Sequence, residues 1–215
     1  MPIFFDTNVP VGYIFKWDPW HPYAESAFAI EDLKYWSETV KNETRRKIKE
    51  FKNSYSNLLL FLWSELKNTE GKFSKKDIIQ LANSSEIDLD TRKIRITIEE
   101  IWKNEKFKPM ENSKKIADTF DRIALDLNRD VDFRKKEFRS NMQFHTRTGK
   151  YPTIQKILEK KIHYPDVDIF LDAHDLCFKH KNLEVITSDY NPENIKHVKS
   201  YTLIRTITNL KDCNS

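Results

Sequence analysis

The chain has 215 residues, of which 33% are charged, 39% apolar and 13% aromatic, with a net charge of +4. That composition belongs to a folded, water-exposed protein and excludes a disordered or fibrous one. Its longest strongly apolar run, Leu58 to Trp63, is far too short to cross a bilayer, and no charged n-region with an apolar stretch opens the chain. No membrane association and a cytoplasmic location are therefore expected. Two cysteines suggest neither a disulfide framework nor a zinc site. None of the three glycines belongs to a dinucleotide or P-loop signature.

In chain order, Ile3-Phe4-Phe5 reads as a short buried strand running straight into Asp6-Thr7-Asn8. Pro10, Gly12, Pro19 and Pro22 mark a loop with short helical pieces, and a helix is expected over about Tyr23 to Leu33. Tyr35-Trp36 is a brief strand, with Ser37 as the N-cap of the next helix. From Val40 to Leu66 apolar residues recur at helical spacing, which predicts one long helix carrying Glu43 near its start. Gly71 breaks it. Ser74 with Asp77 forms a capping pair, Asp90 caps another helix, and Ser113 precedes a further apolar stripe from Ile116 to Val131. No convincing strand occurs in this middle, so residues of about 52–152 are expected to be a helical insertion within a single domain over 1–215.

A polar loop is expected from Gln143 to Pro152, then a short helix from Thr153 to Ile162. A helix starting near Asp166 leads to a β-branched strand, Leu183 to Thr187, which ends in Ser188-Asp189. Tyr201 to Ile207 is expected to be the last strand. Strands at both ends with helices between them predict an α/β fold, three α/β/α layers around a mainly parallel sheet.

In such a sheet the acids that follow strands fall on one edge, where open α/β folds place their sites. Asp6 and Asp189 are of this kind, and Glu43 lies near a helix start. Asp166, Asp168 and Asp172 lie on the first turns of the helix before the second strand, with Asp168 and Asp172 on one face. Each acid alone has an ordinary explanation as a cap, a turn or a solvated residue. Together, carboxylates crowded at one edge repel each other unless they take up protons or hard cations. Mg²⁺ and Mn²⁺ prefer such ligands, and can stabilise the attacking and leaving oxygens of a phosphodiester.

The chain resembles the PIN-domain nucleases. The resemblance rests on Phe5-Asp6-Thr7-Asn8, Ser37-x-x-Val40-x-x-Glu43, Asp168-x-x-Leu171-x-Ala173 and Val185-Ile186-Thr187-x-Asp189, in the order of that family's four acidic motifs. It covers about residues 1–51 and 164–210. It implies a PIN-like fold and a metal-dependent endoribonuclease with Mg²⁺ or Mn²⁺ held by Asp6, Glu43, Asp168 and Asp189. Asp172 would assist, and Asn8 and Thr187 would orient the acids. Asp166-x-x-Ile169-x-x-x-Ala173 fits the third motif almost as well, so Asp166 stays open as its acid. The alternative is a PIN-like module that binds RNA or protein without cutting.

An acid two residues after Asp6 would suggest an aspartate-nucleophile phosphatase, but that position is Asn8. The histidines show no metal spacing; His174 and His180 are expected to be solvated helix residues. Basic residues cluster with aromatics in two places: Arg45 and Arg46 beyond Glu43, and Arg139, Arg147 and Lys150 among Phe138, Phe144 and Tyr151. Lys and Arg on phosphates with bases stacked on aromatics is how single-stranded RNA is held. The unmatched middle leaves room for an antitoxin-like or other protein partner, or for a homodimer contact.

Overall fold

The computed structural model describes residues 1–213. Its main sheet has five strands in the order β5-β2-β1-β6-β7, every neighbouring pair parallel. They are β1 (Ile3–Phe5), β2 (Lys34–Ser37), β5 (Gln143–His145), β6 (Glu184–Thr187) and β7 (Thr206–Asn209). β1 is central because it is apolar on both faces. Ile3, Phe4 and Phe5 are almost wholly buried, as a parallel strand covered by helices on both sides requires. Its register sets Phe5 opposite Ile186 of β6 and Phe4 opposite Tyr35 of β2. The element order fits three α/β/α layers.

Backbone contacts divide the chain into two units: Met1–Lys16 with Trp20–Lys47 and Lys135–Ser215, and Trp17–Pro19 with Ile48–Arg134. The first holds the main sheet with α1 (Asn8–Ile14), α2 (His21–Ala29), α7 (Pro152–Leu158), α8 (Asp166–Cys177) and α9 (Pro192–Tyr201). It also takes the start of α3 (Glu38–Leu66) and the end of α6 (Ser113–Ser140). Ser37 caps α3 as expected, its hydroxyl accepting the Val40 N–H at 3.3 Å.

An aromatic cluster centres on Phe138, which is fully buried. Its ring lies 5.2 Å from Phe28, 5.5 Å from Trp36, 5.8 Å from Tyr13 and 6.3 Å from Phe5. Phe138 is therefore a core residue and not a base-stacking one. The basic residues beside it hid this, because one turn of α6 can present Arg139 outward and Phe138 inward. Phe138→Ala is expected to cost about 3–5 kcal/mol, as for truncation of other buried aromatics. Chemical denaturation would measure it, and a loss below about 1 kcal/mol would refute the central role.

The second unit contains the rest of α3, α4 (Lys75–Asn83), α5 (Thr91–Asn104) and the first part of α6. Its buried residues include Tyr55, Leu58, Leu59, Leu62, Ile78, Ile98 and Phe120, the apolar stripes visible in the sequence. Ser74 and Asp77 form the expected capping box, and Asp90 accepts from the Lys93 N–H at 3.0 Å. The middle is not purely helical, however. β3 (Lys72–Ser74) and β4 (Met110–Asn112) pair antiparallel. Each is three residues long and exposed or half-buried at most positions, without the unbroken apolar run that announces β1, so the sequence gives no sign of them.

Two further differences lie in the first unit. Gln143–His145, expected as loop, is β5, paired with β2 from Tyr35↔Gln143 to Ser37↔His145. The last strand begins at Thr206, and Tyr201 instead ends α9. Asn191 starts that helix by accepting from the Glu193 and Asn194 N–H groups, with Pro192 in the first turn. Among the described residues no helix is long and apolar enough to cross a membrane.

Candidate functional site

All five strands of the main sheet run the same way, so their carboxyl ends share one edge. Asp6 follows β1, Glu43 lies on the helix after β2, Arg147 follows β5 and Asp189 follows β6. α8 precedes β6 and runs back across the sheet, which brings its N-terminus, and Asp166, to the same edge.

Asp6 is 5% exposed. One carboxylate oxygen accepts the Thr7 N–H at 2.5 Å and the other the Thr187 hydroxyl at 2.6 Å. Burial pushes its pKa up to about 7; the Thr187 bond opposes this, the charges of Asp166 and Asp189 add to it, and the Thr7 bond opposes it again. Asp166 is half-buried, and its pKa rises to about 6. Burial comes first, then the charges of Asp189 and Glu43, against Lys47 and His163. Asp6, Asp166, Thr187 and Asp189 line a cavity of about 50 Å³, closed on its apolar side by Ile169 and Ile195.

Asn8 and Thr187 both touch acids. The Asn8 amide donates to Ser188 Oγ at 2.6 Å and to Asp189 Oδ2 at 3.1 Å. Thr187 Oγ1 donates to Asp6 and accepts the Asp189 N–H at 3.0 Å. Glu43 is held at both oxygens: Thr7 Oγ1 donates to Oε2 at 2.6 Å, and Lys47 Nζ lies 3.2 Å from Oε1.

Asp168 and Asp172 lie elsewhere. At about 100° per residue, Asp168 is turned roughly 200° from Asp166 around α8, whereas Asp172 and Asp175 return to the Asp168 side. Arg147 spans that side, Nη2 2.9 Å from Asp168 and Nε 3.2 Å from Asp172. Burial raises the Asp172 pKa against hydrogen bonds from Ser37 and Thr39 and the charge of Arg147. One turn on, Asp175 accepts the Thr148 and Gly149 N–H groups at 3.1 and 2.9 Å and the Tyr151 hydroxyl at 2.5 Å. His145 Nε2 lies 3.2 Å from it. Thus α8 presents one acid to the cavity and three to the segment after β5. The sequence stripe Asp168, Asp172, Asp175 signals that second role once a basic segment is known to lie across it.

Beside the acids is an open groove of about 570 Å³, whose lining includes Glu43, Arg46, Tyr164 and Asp168. Tyr164 is 80% exposed. Arg45, Arg139 and Lys150 are exposed, while Arg147 is committed to the α8 acids. His174 is buried, its Nδ1 accepting the Leu203 N–H at 2.9 Å, and His180 bonds the Tyr35 hydroxyl at 2.9 Å; neither is a solvated helix residue.

Asp6, Asp166 and Asp189 suit a hard cation by donor type, and the raised pKa values of Asp6 and Asp166 record in part the repulsion an ion would relieve. Among the described residues, no three His, Cys, Asp or Glu side chains stand close enough to hold a metal ion as arranged. No family model, curated protein or solved structure matches this chain.

Proposed function

We propose that this chain is a PIN-like, metal-dependent endoribonuclease that hydrolyses single-stranded RNA. The observation that carries the reading is the gathering of Asp6, Asp166 and Asp189 around one cavity at the carboxyl edge of a parallel sheet, two of them with raised pKa. A bound Mg²⁺ or Mn²⁺ would supply Lewis-acid stabilisation of the phosphodiester's developing charge. The chain's own groups do the positioning. Thr187 and the Thr7 N–H hold Asp6, and Asn8 aims Asp189. Arg46 and Tyr164 offer the adjoining groove a phosphate contact and a stacking surface.

A second reading, a module that binds RNA or protein without cutting, is favoured by one observation. The three carboxylates are not assembled for an ion, so side chains must draw together to bind it. Incubating purified protein with single-stranded RNA and Mn²⁺, beside EDTA and an Asp6→Asn variant, separates the two. Cleavage by the intact protein with Mn²⁺ alone is the expected result. Equal cleavage by both proteins, or by neither, sinks the nuclease.

A further inference from the structure

Lys47 is a basic group tied directly to Glu43 and Asn8 at this edge that the proposed function leaves unused. It follows Glu43 by four residues on α3, and such a pair is ordinary on a helix surface. This one is not at the surface: the two side chains are only 26% and 10% exposed. Nζ also donates to Asn8 Oδ1 at 3.3 Å, and the amide nitrogen of the same Asn8 holds Asp189 and Ser188. One ammonium therefore meets Glu43 directly and reaches Asp189 through a single side chain. Its charge is felt at Asp166 as well.

Both oxygens of Glu43 are committed, Oε1 to Lys47 at 3.2 Å with Arg46 Nη2 farther off at 3.9 Å, and Oε2 to the Thr7 hydroxyl. Two-ion phosphodiester sites hold their cations roughly 3.5–4 Å apart with carboxylates shared around both. An acid already neutralised by an ammonium at 3.2 Å is poorly placed to serve a second ion.

Building on the nuclease reading, we propose that Lys47 is the resident cation of this acidic edge, held against Glu43 and Asn8. Its ammonium occupies Glu43 in place of a second divalent ion, leaving Asp6, Asp166 and Asp189 to serve one. An ammonium carries three N–H donors, of which Glu43 and Asn8 take two. The third is directed to a non-bridging phosphate oxygen of the substrate, where it adds fixed positive charge as the transition state forms.

The test is to count Mn²⁺ ions bound per chain by isothermal titration calorimetry, for the full-length protein and for Lys47→Met, Lys47→Gln and Lys47→Arg. The intact protein and Lys47→Arg are expected to bind one ion. Lys47→Met gains a second, because Glu43 is released as a ligand. Lys47→Gln repeats the measurement with a polar side chain should the methionine variant fail to fold. RNA cleavage by the folded neutral variant falls about 10²-fold, the usual effect of losing one transition-state donor. An unchanged ion count on loss of the lysine charge, or two ions on the intact protein, overturns the proposal. Absence of cleavage by the intact protein refutes the nuclease reading instead, and the ion count still decides for Lys47.

Discussion

Asp166→Asn is expected to lower Mn²⁺-dependent RNA cleavage by about 10³-fold, whereas Asp168→Asn leaves it within about threefold. The two residues are two apart on α8 and so face opposite ways. Asp166 shares a cavity with Asp6 and Asp189, while Asp168 faces Arg147 at 2.9 Å. The Asn side chain keeps the size of Asp and removes the charge, so a loss at Asp166 reports charge at the site. Asp168→Asn weakens one arm of a bridge that Asp172 also makes and removes a charge from the groove wall, but takes none from the Asp6 cavity. Initial rates on a labelled single-stranded oligonucleotide, with melting curves to verify folding, give the comparison. The reverse ranking would put the working acid on the Arg147 side of α8.

A second large effect is in stability against pH, with and without Mn²⁺. The Asp6 and Asp166 carboxyls have folded pKa values of about 7 and about 6, against 3.8 for an ordinary Asp. The folded chain therefore binds more protons than the unfolded one between those values. Each group contributes stability that is complete below about pH 4 and is lost as the pH climbs through 6 and 7. Without metal the melting temperature should fall by several degrees from about pH 5 to about pH 8. Asp6→Asn should flatten that slope.

Mn²⁺ competes with those protons, so its stabilisation has the opposite pH dependence. At an ion concentration about 100 times Kd the gain is about 2.7 kcal/mol, or roughly 5–11 °C for a chain of this size. It should be near its full value at about pH 8 and small at about pH 5. Differential scanning fluorimetry across pH reads both slopes. A melting temperature unmoved by Mn²⁺ at about pH 8 would favour the non-cutting module.

Much of both units is legible because its signals are local. Ile3-Phe4-Phe5 is apolar without interruption, as a strand buried on both faces must be. Ser37, Ser74 and Asp90 cap helices through hydrogen bonds that short polar side chains make to nearby backbone N–H groups. Asp6 and Asp189 come to one edge because both follow strands of one parallel sheet. That follows from chain order and the parallel rule alone.

β5 was not legible. Gln143 and Phe144 are exposed and the strand is three residues long, so it exists only through its pairing with β2. The site divides in the same way. Chain order and local pattern were enough to name the acids able to reach the edge: Asp6, Glu43, Asp189 and the group at the start of α8. Which of Asp166, Asp168 and Asp172 lines the cavity with Asp6 and Asp189 is set by the packed fold, which also pairs Glu43 with Lys47. Helical phase turns Asp168 and Asp172 away together, but the side that faces the cavity depends on how α8 lies on the sheet. Arg147, brought across by β5, then binds the acids turned the other way. Periodicity is a property of neighbours along the chain; which face meets the other acids is set by residues far away in it.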